Sequence, residues 1–408
     1  MENKKTSSSR RISGGITAVK GFRASGISAG IKKNGSLDMA LVFSDLPCTA
    51  AALFTKNRFC AAPLLLNKKH LKGRTGQAIL VNSGNANAAT GVQGTRDATT
   101  MAKETARLLN IHLHSSYVGS TGVIGETLPM RKIIPAIPTL VSSLSTNGNH
   151  AAAEAILTTD TFRKETAWEG WVGNNKIRIG GMAKGSGMIH PNMATMLAFL
   201  STDVTMNPIL LQEGLREAVD HSFHRITVDG DTSTNDMVLL FANGKKGREI
   251  KTKGRPYREF VSLLTTACLS LAKLLVKDAE GATKLIEIRV TGAKDPLSAK
   301  KMCFSVAQSL LVKTAFFGED PNWGRIIAAI GNAGAKVSLD RIDLYFGGYP
   351  LVKKGNYLGK GAETLIKTYL KKKELQLHVS FHTGQDSFTV WTNDLSYDYI
   401  KINASYRT

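Results

Sequence analysis

The sequence predicts a layered α/β (α+β) architecture in which helices pack outside sheets. Two observations carry this expectation. Apolar runs with a period of two alternate in blocks with longer runs spaced i, i+3, i+4, i+7, the periods of half-buried strands and of amphipathic helices. A chain of 408 residues, 42% hydrophobic and 21% charged, is also long enough for two domains or for one large layered unit with a lobe. Neither a short repeat nor a low-complexity linker divides it.

Taken in order, residues 36–43 (SLDMALVF) read as a strand and 49–54 as a second buried stretch. Residues 77–81 form a short apolar strand that runs into a loop at 82–87 (NSGNAN), because Asn and Gly both tolerate positive φ. A helix over 95–109 places Ala98, Met101, Ala102, Leu108 and Leu109 on one face, with Thr105 the one hydroxyl among them. Residues 116–126 (SYVGSTGVIGE) are a strand broken by Gly119, Gly122 and Gly125; such glycines mark a bulge or a close backbone approach. A helix over 151–157 ends in the hydroxyl-rich turn Thr158-Thr159-Asp160-Thr161, and a strand at 176–179 leads into 182–200 (MAKGSGMIHPNMATMLAFL). Beyond it, a helix over 208–223 turns Leu211, Leu215, Ala218, Val219 and Ser222 to one side. The polar loop 226–236 (ITVDGDTSTND) precedes a buried strand at 237–242.

Phe260, Leu263, Leu264, Ala267, Leu271, Leu274 and Leu275 define a long amphipathic helix closed near Gly281. Ile286, Ile288 and Val290 alternate as a strand, and Asp295-Pro296 opens the next helix as N-cap and first helical residue. Ile342, Leu344 and Phe346 give a further strand and 361–370 a helix, while 375–381 and 388–391 read as a two-stranded hairpin.

The formal charge of +21, from 53 Lys+Arg against 32 Asp+Glu, invites a nucleic-acid reading. The basic residues are scattered, however, and the densest run, 245–258 (KKGREIKTKGRPYR), holds only one aromatic, unlike a base-stacking platform. A solvated basic surface, with a field that attracts anionic substrates, is the expectation. No apolar run approaches the ~20 residues that span a bilayer. Residues 1–13 read as a disordered basic tail without the apolar segment of a secretory signal. A cytoplasmic protein with neither membrane nor nucleic acid as partner is therefore expected. Cys48, Cys60, Cys268 and Cys303 show neither C-x-x-C nor metal-type spacing and read as reduced packing residues. His221 and His224 lie one helical turn apart beside Asp220 with no third ligand in the pattern, so no metal is expected.

Among motifs, Gly185-Ser186-Gly187 is not a phosphate-binding loop, since Lys184 precedes the glycines, and no dinucleotide fingerprint is present. The loop 226–236 has the Asp and hydroxyl content of a Ca²⁺ loop but not its downstream Glu; a hydrogen-bonded wall beside an active site is preferred to cation binding. On spacing alone, Thr195 is a hydroxyl at the start of a buried strand, and 116–126 is a tight structural bend.

Nine stretches change that assessment: 14–17 (GGIT), 20–22 (KGF), 82–87, 120–125 (STGVIG), 181–199, 225–236, 278–283 (DAEGAT), 320–325 (DPNWGR) and 401–408 (KINASYRT). Together, and in this order, they closely resemble the ornithine acetyltransferase family of arginine biosynthesis, also called glutamate N-acetyltransferases, from about Gly14 to the last residue. The resemblance implies an αββα sandwich similar to N-terminal-nucleophile hydrolases, with a smaller α/β lobe. It implies a precursor cut between Ala194 and Thr195 into 1–194, in which the alpha chain 14–194 follows the tail, and 195–408; the two co-fold into one catalytic unit and assemble as a heterotetramer of two of each.

The same resemblance makes Thr195 the nucleophile and Thr121 and Gly122 the oxyanion-hole pair. It assigns substrate contacts to Thr158, Lys184, Thr195, Glu280, Asn403 and Thr408, although Thr159 fits as well as Thr158 by residue type. The implied reaction moves the acetyl group of N2-acetylornithine to glutamate through acetyl-Thr195, without a cofactor; whether acetyl-CoA also serves as a donor is left open. By charge, Lys184 suits an α-carboxylate and Glu280 the ornithine side-chain ammonium. Two positions depart from the pattern: His224 stands where Asn is expected, and Asn393 where Cys is common. The alternative is a self-processing aminopeptidase or amidase of the related fold, which has no need of Lys184, Glu280 and a C-terminal tail in one pocket.

Overall fold

A computed structural model of the chain describes residues 9–190 and 196–405. Its organising strand is Met39–Phe54, which joins the two expected stretches into one element of 16 residues. Its register against Thr75–Asn85 shifts between Phe43 and Cys48, and there the strand changes partners. The first half pairs with Phe22–Ile27 and Thr75–Asn85, the second with Met237–Ile250. The nine-stranded sheet therefore consists of two leaves sharing one strand. Its order is Arg10–Arg11, Lys164–Val172, Asn175–Lys184, Leu197–Met206, Met237–Ile250, Met39–Phe54, Thr75–Asn85 and Ser116–Val123, with Phe22–Ile27 on the shared strand.

Alternation along the strands sorts the side chains into layers. Met39, Leu41 and Phe43 face outward with Ala78, Leu80 and Val118, onto the helices Gly91–Leu109 and Met130–Ser142. Ala40 and Val42 face inward with Ile79, Val81 and Tyr117, and meet Met182, Leu197, Phe199, Leu239 and Phe241 of the other leaf. That leaf sends Ile179, Ala198, Leu200, Val238 and Leu240 outward onto Pro208–Asp220 and Arg255–Lys277. Helix, leaf, leaf, helix is the αββα order the resemblance implied. Arg255–Lys277 is apolar and long enough to cross a membrane by length and composition, contrary to the count made on the sequence. Tyr257, Phe260, Leu264, Leu271 and Leu275 instead bury its apolar face against the sheet.

The lobe is a six-stranded sheet ordered Asn356–Tyr357, Tyr349–Lys353, Ile342–Phe346, Glu374–Phe381, Leu285–Ala293 and Asp386–Asn393. Pro296–Gln308, Leu310–Phe317, Trp323–Gly331 and Lys360–Leu370 close its core. The first of these helices is capped as expected, Asp295 accepting the Ser298 N–H.

Four expectations need correction. Glu374–Phe381 and Asp386–Asn393 are not a hairpin, because Leu285–Ala293 lies between them, parallel to the first and antiparallel to the second. The connection arches over the end of that strand, where the Gly292 carbonyl accepts the Thr383 and Gly384 N–H groups. Only glycine permits the arch: Gly292 has φ +67°, and a Cβ there would lie 1.7 Å from the Phe381 oxygen. Secondly, 82–87 is strand as far as Asn85, because Asn82, Ser83 and Gly84 pair in parallel with Ser120, Thr121 and Gly122. Thirdly, the tail is ordered where Arg10–Arg11 adds a short strand to Lys164–Val172 and Arg10 pairs with Glu169 at 2.9 Å. Finally, Arg255–Lys277 ends four residues before Gly281, with Asp278 as its C-cap; Gly281 (φ +67°) redirects the chain after the helix has ended rather than capping it.

Candidate active site

Where the two leaves, the Gly281 turn and the C-terminal helix Tyr397–Ser405 converge, a pocket of ≈ 230 Å³ opens. Thr121, Gly122, Thr158, Lys184, Glu280 and Asn403 all line it. Thr195 and Ala194, the expected nucleophile and its cut-site partner, lie outside the described residues, as does Thr408.

Thr121 and Gly122 sit near the end of Ser116–Val123, alongside Ser83 and Gly84. Gly122 has φ +133°, and a Cβ on it would come within 2.3 Å of the Gly84 carbonyl carbon. Two backbones approach there as no larger residue allows, which accounts for the glycine that breaks the strand.

Lys184 ends the strand Asn175–Lys184 and is 4% exposed. Its Nζ donates to Thr158 Oγ1 at 2.7 Å and to Thr121 Oγ1 at 3.1 Å. Burial pushes its pKa down; the Asp160 carboxylate, 3.9 Å away, opposes that fall, while Lys164 adds to it. Asp160 is the hub of this wall. It accepts from Lys164 Nζ at 2.6 Å, from the Gly185 N–H at 2.7 Å and from the Thr158 N–H at 2.9 Å. Burial would raise its pKa, but the Lys184 and Lys164 charges outweigh burial and hold the carboxyl well below the usual range. Asp278 takes the other side of Lys164 and also binds Thr161 through its N–H and hydroxyl. The turn 158–161 is thereby tied both to the glycine loop and to the end of the long helix. Thr159, the rival of Thr158 by type, lines the same pocket but pairs with Ser186 at 2.6 Å.

Glu280 is positioned from three directions. Its N–H donates to the Ser186 carbonyl at 2.9 Å, and its Oε2 accepts from Asn403 Nδ2 at 2.9 Å. Its carboxylate also lies over Gly187, where a Cβ would be 2.4 Å from Oε2. Asn403 comes from Tyr397–Ser405, a helix docked onto the Gly281 turn through Ser396 Oγ and the Gly281 carbonyl at 2.6 Å.

The loop 226–236 forms the hydrogen-bonded wall expected of it, with Asp229, Asp231, Ser233 and Asn235 on the pocket. Asp229 accepts the N–H groups of Met188 at 2.6 Å and Ile189 at 2.9 Å; Met188 is held at φ +57°, a strained value for a residue with a side chain. Asn235 Nδ2 donates to the Ala86 and Ser120 carbonyls. Asp236, 1% exposed, accepts the Met196 N–H at 3.1 Å, while its Oδ2 has no partner among the described residues. Burial pushes its pKa well above the ordinary carboxylate range, against the Met196 N–H and the nearby Ser233 and Thr55 hydroxyls.

Sequence reasoning did not assign roles to Asp160, Asp229, Asp236, Asp278, Ser186 or Tyr399. All but Asp160 lie in or beside the matched stretches, so the signal was there, but nothing in one-dimensional spacing says which polar residue points inward. Neither departure lines the pocket: His224 pairs with Asp220 at 2.7 Å, and Asn393 accepts from Lys313 in the lobe.

The chain is similar to known proteins over nearly its whole length. The protein named arginine biosynthesis bifunctional protein ArgJ from Geobacter sulfurreducens is 49% identical over 391 residues, covering 96% of this chain and 100% of its own length. Its namesake from Bacillus subtilis is 45% identical over 400 residues, covering 98% of each. Among solved structures, the ornithine acetyltransferase from Mycobacterium tuberculosis, complexed with ornithine, is 36% identical with a TM-score of 0.42, covering 47% of this chain and 100% of that one. The ArgJ family model matches residues 23–408, and the chain belongs to the ArgJ family.

Proposed function

We propose that this chain transfers the acetyl group of N2-acetylornithine to glutamate, with Thr195 as the acyl carrier. The observation that carries the reading is the convergence of Thr121, Gly122, Thr158, Lys184, Glu280 and Asn403, from five separate stretches, on one pocket. The Thr195 hydroxyl is a weak nucleophile until a base takes its proton. Its own α-amine, with a reference pKa of about 7.7–8.0, is suited to that task once Ala194–Thr195 is cut. Oγ then bonds to the acetyl carbon, the C–N bond to ornithine breaks, and ornithine leaves with the proton as its amine. Glutamate's amine attacks acetyl-Thr195 in turn and releases N-acetylglutamate. Thr121 and Gly122 would steady the oxyanion of both steps, and losing one such donor typically costs about 3–4 kcal/mol in the barrier. Lys184 suits the α-carboxylate and Glu280 the cationic tail.

The cut itself fits the same hydroxyl attacking the Ala194 carbonyl. The fragments 1–194 and 195–408 remain together in this reading, as a heterotetramer of two of each, in the cytoplasm and without a resident cofactor. Acetyl-CoA as a second donor, releasing the free thiol, draws support from the word bifunctional in the relatives' names.

Purified chain incubated with N-acetylornithine and glutamate should yield ornithine and N-acetylglutamate; release of acetate alone would overturn the transfer. On a denaturing gel the 44.0 kDa chain should split in two. Thr195→Ala should stay whole and abolish transfer, whereas an active Thr195→Ala enzyme would end the role given to Thr195.

A further inference from the structure

Four described residues lining the pocket carry charged side chains: Lys184, Asp229, Asp231 and Glu280. Three of them are engaged. Lys184 is bonded to Thr121 and Thr158, and Glu280 is held by Asn403. Asp229 receives the Met188, Ile189 and Asp231 N–H groups and the Tyr399 hydroxyl. Asp231 differs. Its backbone N–H is fixed on Asp229 Oδ1 at 3.3 Å, but among the described residues no hydrogen bond or ion pair reaches its carboxylate, which stands exposed at the pocket wall.

Donor and acceptor make opposite demands on this wall. N-acetylornithine carries a cationic tail and glutamate an anionic one, and each must occupy the same pocket in turn. Three carboxylates facing one ammonium favour the cationic tail and repel the anionic one. Asp229 is committed to the loop that precedes the cut site and Glu280 to its three supports, which leaves Asp231 as the carboxylate free to respond to what is bound.

We propose that Asp231 is a charge-selectivity residue: its unpaired carboxylate draws the donor's tail ammonium into the pocket and weakens the hold on the acceptor's tail carboxylate. The inference rests on the acetyl-transfer reading above.

Asp231→Asn tests it, since the amide keeps the shape and removes only the charge. Steady-state kinetics on the full chain should show KM for N-acetylornithine rising about two- to fivefold, the scale of a solvent-exposed ion pair, and KM for glutamate falling by a similar factor. Chain splitting should match the wild type, kcat should change less than either KM, and both shifts should shrink in about 0.5 M salt as screening sets in. A merely structural role would move both KM values the same way. Asp231→Lys should enlarge the opposed shifts and serves as the second variant. KM values that stay put, or that move together, overturn the role of Asp231 while leaving the transfer reading intact. A wild-type chain that makes no N-acetylglutamate overturns the transfer reading, and this inference with it.

Discussion

Lys184, on the pocket wall, and Lys313, on Leu310–Phe317 of the lobe, are both sealed from water, and the fold treats them differently. Lys184 has two hydroxyls as acceptors and the Asp160 carboxylate 3.9 Å away, itself shared with Lys164 at 2.6 Å. Lys313 reaches only neutral oxygens: Asn393 O at 2.6 Å, Asn393 Oδ1 at 2.9 Å and Thr392 Oγ1 at 3.1 Å. Burial lowers the proton affinity of both, but for Lys313, with the more remote Asp394 and Asp229 as its only counter-charges, the pKa falls to about 7. A buried cation beside a buried carboxylate remains available to bind an anionic group. One surrounded by amides and hydroxyls becomes a group that titrates near neutrality.

The most severe way to break the contrast is Asp160→Asn, which would strip Lys184 of its neighbouring carboxylate and leave Lys164 with Asp278 alone. We expect a loss of about 3–5 kcal/mol, the usual cost of stripping one partner from a buried ionic pair. Denaturant unfolding on the uncut Thr195→Ala background, where the chain remains one piece, measures it. A loss below about 1 kcal/mol would mean the network does not hold the wall.

Lys313→Met probes the other side. The folded-state pKa of about 7 lies below the ordinary value of 10.5, so between them the unfolded chain binds a proton that the folded chain has released. Stability attributable to this site therefore rises with pH across that window, by up to about 1.4 kcal/mol per pH unit, and is lowest at pH 7 and below. The difference in unfolding free energy between wild type and Lys313→Met, measured from pH 6 to pH 9, should show this slope. A flat difference would place the ammonium in a better-compensated site than its contacts indicate. The mildest test is Asn393→Cys, which removes one acceptor from Lys313 and the Asn393 Nδ2 donor to the Asp394 carbonyl. A cost of about 1 kcal/mol, near that of one neutral hydrogen bond, is expected by thermal denaturation.

The contrast also marks what could be read without coordinates. Lys184 stood out because it precedes a glycine pair in a long matched stretch; Lys313 sits in LLVKTAFF, where an isolated lysine looks like any helix surface position. Met130–Ser142 escaped notice for a related reason, since Pro135 and Pro138 argue against a helix. The buried face of Ile133, Ala136, Ile137 and Leu140 against the outer leaf overrides that local preference.

The sequence by itself determined the elements whose cause is local. Alternating apolar residues placed the strands, helical spacing placed Arg255–Lys277, and Asp295-Pro296 set a helix start, because each depends on neighbours within a turn or two. Its ordered motifs also identified the family and the residues to look for. Only the tertiary structure decided that Leu285–Ala293 slips between two strands consecutive in sequence, and that Met39–Phe54 serves both leaves. Only it brought Glu280 and Asn403 to a pocket built around Lys184. Strand pairing and site convergence are contacts between distant residues, chosen by which surfaces can be buried together, and no periodicity within a segment records them.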